Sequence, residues 1–181
     1  MAEIWVVNAS PLIALAKVGH VDLLATPGRS VIVPEAVAEE ILRGHAYDPA
    51  RRALEAGLGA DVRRAAHDPE VVEWSLGAGE SAVLSLSRAL GALAILDDRE
   101  ARVAARTLGV RFSGTLGIVV QAARAGRIGS AVPLIRAATF CWPVPQRPRG
   151  CRRPSPAPWR ELGTLTCTRS TTTWRSSLLS A

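Results

Sequence analysis

Short apolar runs alternate with stretches of helical periodicity along the first three quarters of the chain. Ile4 to Val7 and Val31 to Val33 have strand length, and a proline-marked helix start follows each: Ser10-Pro11, with Ser10 as the predicted N-cap, and Pro34. Behind Pro34, Val37, Ala38, Ile41 and Leu42 fall on one helical face, and Gly44 terminates the pattern. Asp48-Pro49 and Asp68-Pro69 repeat the same start chemistry, the second opening what reads as a helix through Leu76. Gly79 to Leu90 places Val83, Leu86 and Leu90 at core spacing, and Leu93 to Leu96 reads as a strand. Asp97 or Asp98 then caps a helix with an Ala101, Ala104, Ala105, Leu108 stripe; Val110 to Phe112 is a further strand, and the next helix starts at Ser113-Gly114-Thr115 and ends near Gly126. Strands alternating with helices predict an α/β fold whose parallel sheet is covered on both faces.

The pattern stops around Thr139, and composition changes with it. Residues 1–140 hold 15 Lys and Arg against 15 Asp and Glu, whereas residues 141–181 hold 7 Arg against the single Glu161. The formal charge of +6 is therefore not a property of the patterned part, and it loses its force as a nucleic-acid footprint there. All three cysteines and half of the 12 prolines also fall in the last segment, at spacings that fit neither a zinc site nor a redox pair. We expect one domain over 1–138 and an irregular basic tail over 139–181, disordered or translated out of frame, with a phosphate-binding arm as the functional alternative. No apolar run reaches the roughly 18 residues of a membrane span, and Glu3 stands where a signal peptide carries basic residues. The expectation is a soluble, cytoplasmic protein.

Candidate chemistry lies at four separated places, each at the edge of an apolar segment: Asn8, Glu39-Glu40, Glu80 and Asp97-Asp98. Two of them follow strand-like runs, and ligands of open α/β sheets bind beyond the carboxyl ends of strands. Carboxylates gathered in one site repel each other, and a hard divalent cation removes that cost. The arrangement points to metal-assisted cleavage of a phosphodiester. Each position also has a plain structural reading: Asn8 as a turn residue, Glu39 and Glu40 as a solvated helix face, Glu80 as a partner of its helix dipole, Asp98 as an N-cap.

Five stretches carry a resemblance to a known family. They are Val6-Val7-Asn8-Ala9-Ser10-Pro11-Leu12-Ile13-Ala14-Leu15-Ala16, Val33-Pro34 through Glu40-Ile41, Gly77-Ala78-Gly79-Glu80-Ser81, Leu96-Asp97-Asp98-Arg99 and Ser113-Gly114-Thr115-Leu116-Gly117. Together, over about residues 4–138, they resemble PIN-domain proteins, in a branch close to the VapC-type toxin ribonucleases. The resemblance implies a three-layer sandwich and a Mg²⁺- or Mn²⁺-dependent ribonuclease acting on RNA. It also implies the toxin half of a toxin–antitoxin pair, with an antitoxin partner, and a homodimer. It carries the family's acidic positions onto Asn8, Glu40, Glu80 and Asp98, with Asp97 beside the last, and prefers Glu40 over Glu39. These are the expected metal ligands, and Glu40, Glu80 and Asp98 the expected catalytic acids. Ser113, Thr115, Arg99 and Arg102 are candidate phosphate contacts.

Asn8 departs from the family pattern. Its amide oxygen still suits a hard cation but brings no charge, which weakens both ion affinity and water activation. The alternative is therefore a catalytically impaired PIN-like binding module or a decayed gene product. A further rival is a dinucleotide site, because Gly77-Ala78-Gly79-Glu80-Ser81-Ala82 also fits GxGxxA. That motif requires a strand before it, and the preceding segment reads as helix. His20, His45 and His67 have no metal spacing, and no covalent-nucleophile arrangement is present.

Overall fold

The computed structural model describes residues 3–58 and 60–140, so the expectations placed on the tail from residue 141 lie outside the described residues. Five parallel strands form one sheet: β1 Glu3–Val7, β2 Arg29–Pro34, β3 Ala60–Arg63, β4 Leu93–Ile95 and β5 Phe112–Ser113, in the spatial order β3-β2-β1-β4-β5. The helices are α1 Ala9–Lys17, α2 Glu35–Leu42, α3 Pro49–Glu55, α4 Pro69–Val72, α5 Ala78–Leu90, α6 Arg99–Thr107, α7 Thr115–Arg124 and α8 Ala131–Phe140. This is the α/β architecture that the pattern predicts.

β1 is central because its side chains tolerate burial on both faces: Trp5, Val6 and Val7 are all buried. Val6 pairs with Ile32 on one side, and Val7 pairs with Ile95 on the other. The chain builds outward from β1 to β2 and β3, then returns to lay β4 on the opposite side of β1. The order reverses between β1 and β4, and the crevice beyond their carboxyl ends is where such sheets bind ligands. Asn8 ends β1 and Asp97 lies just beyond β4, at that switch point.

Leu12, Leu15, Leu84, Ile95 and Leu96 are fully buried, each stabilising the fold by about 1.5–3 kcal/mol relative to exposure. The alanine stripe of α6 behaves as its spacing predicts, with Ala101, Ala104 and Ala105 buried. Small side chains let that helix lie close to the sheet.

Several local expectations are corrected. α1 begins at Ala9 with Asn8 as N-cap, so Ser10 and Pro11 lie inside the first turn, where the missing proline N–H costs nothing. α4 stops at Val72 rather than Leu76, because Ser75 turns left-handed at φ 51°. The last strand is Phe112–Ser113 rather than Val110–Phe112, and Leu96 lies beyond the end of β4. β3 and α8 have no counterpart in the sequence reading. Among the described residues no helix is long and apolar enough to cross a membrane.

Candidate metal centre

Three expected site residues meet where α5 crosses α2. The Asn8 amide nitrogen donates to Glu80 Oε1 at 3.2 Å. Gly79, buried in the first turn of α5, marks the closest approach: a Cβ there would lie 3.1 Å from Asn8 Oδ1, 3.4 Å from Glu40 Oε2 and 3.4 Å from Val37 Cγ2. The amide and carboxylate oxygens therefore sit within 3.4 Å of a single point beside Gly79. Glu80 is the third helical residue after Gly77, and its carboxylate folds back so closely that a side chain at Gly77 would collide with Oε2. The dipole of α5 favours a carboxylate there as well.

This cluster is electrostatically and geometrically unsatisfied. Asn8 is 2% exposed and its Oδ1 accepts no hydrogen bond. A buried acceptor without a donor costs about 1–3 kcal/mol, and in native structures it commonly marks the place of a ligand. Glu40 lies on an exposed helix position, but its carboxylate is turned against the cluster. Partial burial and then the Glu80 charge push its pKa above the ordinary carboxylate range, with Arg43 opposing. Two carboxylates and an amide oxygen form an all-oxygen donor set of the kind hard divalent cations take. The residues present fit such an ion.

Glu39 separates from Glu40. It lines a different cavity of about 480 Å³, walled by Ala36, Ala78, Ala82 and Ser85 of α2 and α5 and by His67. The helical offset alone explains this: adjacent residues point about 100° apart, so only one of the pair faces Asn8.

The aspartate pair does something else. Asp98 is the N-cap of α6, its Oδ1 accepting the Ala101 N–H at 2.8 Å. Asp97 reaches across to α7, where Oδ1 accepts the Thr115 N–H at 2.9 Å and Oδ2 accepts the Thr115 hydroxyl at 2.5 Å. Gly114 is required by this contact, since a Cβ would lie 2.8 Å from Asp97 Oδ1 and 3.2 Å from the Leu96 carbonyl. Two neighbouring acids thus cap two different helices. The expected cradle of several converging carboxylates is not formed: among the described residues no three His, Cys, Asp or Glu side chains group closely enough to hold a metal.

The candidate phosphate contacts divide likewise. Thr115 is 1% exposed and gives both its donors to Asp97, so neither is left for a phosphate. The Ser113 hydroxyl packs against the backbone of Gly117. Arg102 and Arg106 approach the Phe112 ring, at 5.5 and 5.8 Å from its centroid. Among the described residues the Arg99 side chain has no hydrogen-bond or ion-pair partner, and it is exposed at the start of α6. Sequence reasoning missed Trp74, which lines an open slot of about 380 Å³ with Leu76, Arg99, Glu100 and Val103. A lone tryptophan between a helix and a turn carries no periodic signal. The dinucleotide reading is overturned, because Gly77 caps α5 after a turn from α4 and not after a strand.

No curated protein matches the chain in sequence. The crystal structure of PAE2754 from Pyrobaculum aerophilum is similar at 17% identity and a TM-score of 0.44, over 77% of this chain and 99% of that one. The family model DUF3368, described as PIN domain, matches residues 4–139. PIN domains are a nuclease family, generally dependent on divalent metal, and this chain belongs to it.

Proposed function

We propose that the protein is a PIN-type endoribonuclease that uses Mg²⁺ or Mn²⁺. The observation that carries this reading is the convergence of the unpartnered Asn8 Oδ1 and Glu40 Oε2 on Gly79, beside Glu80. Asn8, Glu40 and Glu80 would hold the ion, while Asp98 stays with its cap of α6. When bound, the ion neutralises charge on the scissile phosphate and acidifies a water.

The chain's own groups have distinct parts in the reaction. Glu40, whose Oε2 faces the same point as Asn8 Oδ1, would orient the attacking water, whose proton passes to solvent. The water oxygen would bond to phosphorus as the strand's P–O bond breaks, and the leaving oxygen would take a proton from solvent. Asn8 holds Glu80 in place through its amide N–H. The toxin role, an antitoxin partner and a homodimer belong to the same proposal, and finding a small adjoining reading frame that encodes a binding partner would support the toxin role.

The test is RNA cleavage with and without Mg²⁺ or Mn²⁺. Cleavage is expected only with metal, falling about 100-fold or more in Glu40→Gln and Glu80→Gln. Equal rates in wild type and both variants would remove the proposal.

A second reading is favoured by one observation. The Asn8 N–H bond to Glu80 gives that carboxylate a partner without any ion. On this reading the chain is a PIN-like binding module that does not cleave. Asn8→Asp separates the two, since cleavage that appears only in the variant establishes the binding module.

A further inference from the structure

We propose that Trp74 and Arg99 form a docking slot for single-stranded RNA, the indole stacking one base and the guanidinium taking an adjoining phosphate. The inference rests on the reading of this chain as an RNA-acting protein and adds the place where the strand is held.

The indole of Trp74 is half-buried, packed against the core beside Leu76. Its indole N–H has no hydrogen-bond partner among the described residues, and it is not among the buried polar atoms left without one. The backbone behind it is fixed: the Trp74 N–H bonds the Val71 carbonyl at 3.1 Å, and the Ser75 N–H bonds the Val72 carbonyl at 3.0 Å. A rigid aromatic with an open side stacks a planar partner at little conformational cost. Across the slot stand Arg99 and Val103, the latter 45% exposed. A free guanidinium opposite an apolar floor suits a ligand with both a flat apolar face and an anionic group, as a nucleotide has. Glu100 adds an acceptor for a base amino group. At about 380 Å³ the slot lies within the range of small-molecule sites.

Its position ties it to the metal centre. Leu76 adjoins Gly77, over which Glu80 folds, and Arg99 follows Asp98 directly. Base stacking does not depend on base identity, so the slot holds any sequence and leaves selection to other contacts.

The test is metal-free binding of a fluorescent 12-nucleotide 2′-O-methyl RNA to the full chain, followed by anisotropy in EDTA. Trp74→Ala is expected to weaken Kd about 5- to 100-fold, and Trp74→Phe by a smaller factor. Arg99→Ala is expected to flatten the dependence of log Kd on log salt by about 0.7. Thermal melts accompany each variant; should Trp74→Ala unfold, Trp74→Phe and Arg99→Ala decide alone. Wild type failing to bind the RNA overturns the slot, as does unchanged binding in the folded variants or equal affinity for an abasic strand. A wild type that never cleaves with metal but loses binding in these variants retires the nuclease reading and leaves the slot standing.

Discussion

Two strand ends lie side by side at the switch point, and they treat polar groups in opposite ways. Beyond β4, Asp97 and Asp98 are satisfied: their oxygens cap α7 and α6, and the glycine at 114 makes room for the contact. Beyond β1, Asn8 leaves a buried oxygen unpartnered, and the nearby Glu40 is held against the Glu80 charge. The first arrangement lowers the free energy of the fold, while the second raises it and leaves room for a ligand to recover the loss. Acidic residues at equivalent places in one sheet thus divide between architecture and chemistry.

That division is most directly broken at Asp97. Asp97→Ala strips the partner from two buried donors of Thr115 and is expected to cost about 3 kcal/mol in urea unfolding, with or without Mn²⁺. A loss under 1 kcal/mol would mean that Asp97 is not architectural.

Asn8→Asp is the converse experiment. It replaces the donor to Glu80 with a third carboxylate, for an expected loss of about 2 kcal/mol at pH 7 without divalent ion. Like charges raise the folded-state pKa values, so the penalty is present above them and fades as pH falls through the carboxylate range. Mn²⁺ at 100 times its Kd is expected to return about 2.7 kcal/mol. A variant indifferent to Mn²⁺ contradicts the ligand-ready reading of the β1 end.

Asp98 permits a finer cut. Asp98→Ala is expected to cost about 1 kcal/mol, and Asp98→Asn only a few tenths, because Asn caps nearly as well. If cleavage is lost in Asp98→Asn while stability stays, the acid serves both sides of the division.

The smallest expected effect is at Glu40. Burial and the Glu80 charge disfavour its ionised form in the folded state, so stability is lost as pH rises from the ordinary carboxylate value through the raised one. Without metal, Glu40→Gln removes that loss and is expected to gain about 0.3 kcal/mol at pH 7, a figure kept low for solvent screening. Destabilisation in the variant would show that Glu40 also belongs to the architecture.

Much of the fold was legible because its signals are local. Asp48-Pro49, Asp68-Pro69, Gly91 and the alanine stripe of α6 each announce a boundary or a face within a few residues. β3 was not, because Ala60-Asp61-Val62-Arg63 is short and carries an exposed Val62, and its pairing with β2 depends on residues far away in sequence. The start of α1 was misplaced because Ser10-Pro11 imitates a cap that Asn8 already provides in the backbone. At the site, helical spacing left Glu39 and Glu40 undivided, and only the neighbouring helix separates them. The partner of Asp97 is Thr115, 18 residues onward, a link no periodicity encodes.

The bare position at Gly79 carries a consequence for anyone refitting this protein. The gap between two helices, and with it the separation of the oxygens on either bank, is fixed by a missing methyl group rather than by any side chain. Alanine, usually the gentlest replacement within a helix, would here bring its methyl within 3.1 Å of Asn8 Oδ1 and oblige that oxygen to give by a few tenths of an ångström. Efforts to tune the chemistry by exchanging Asn8, Glu40 or Glu80 work within the space that this glycine leaves.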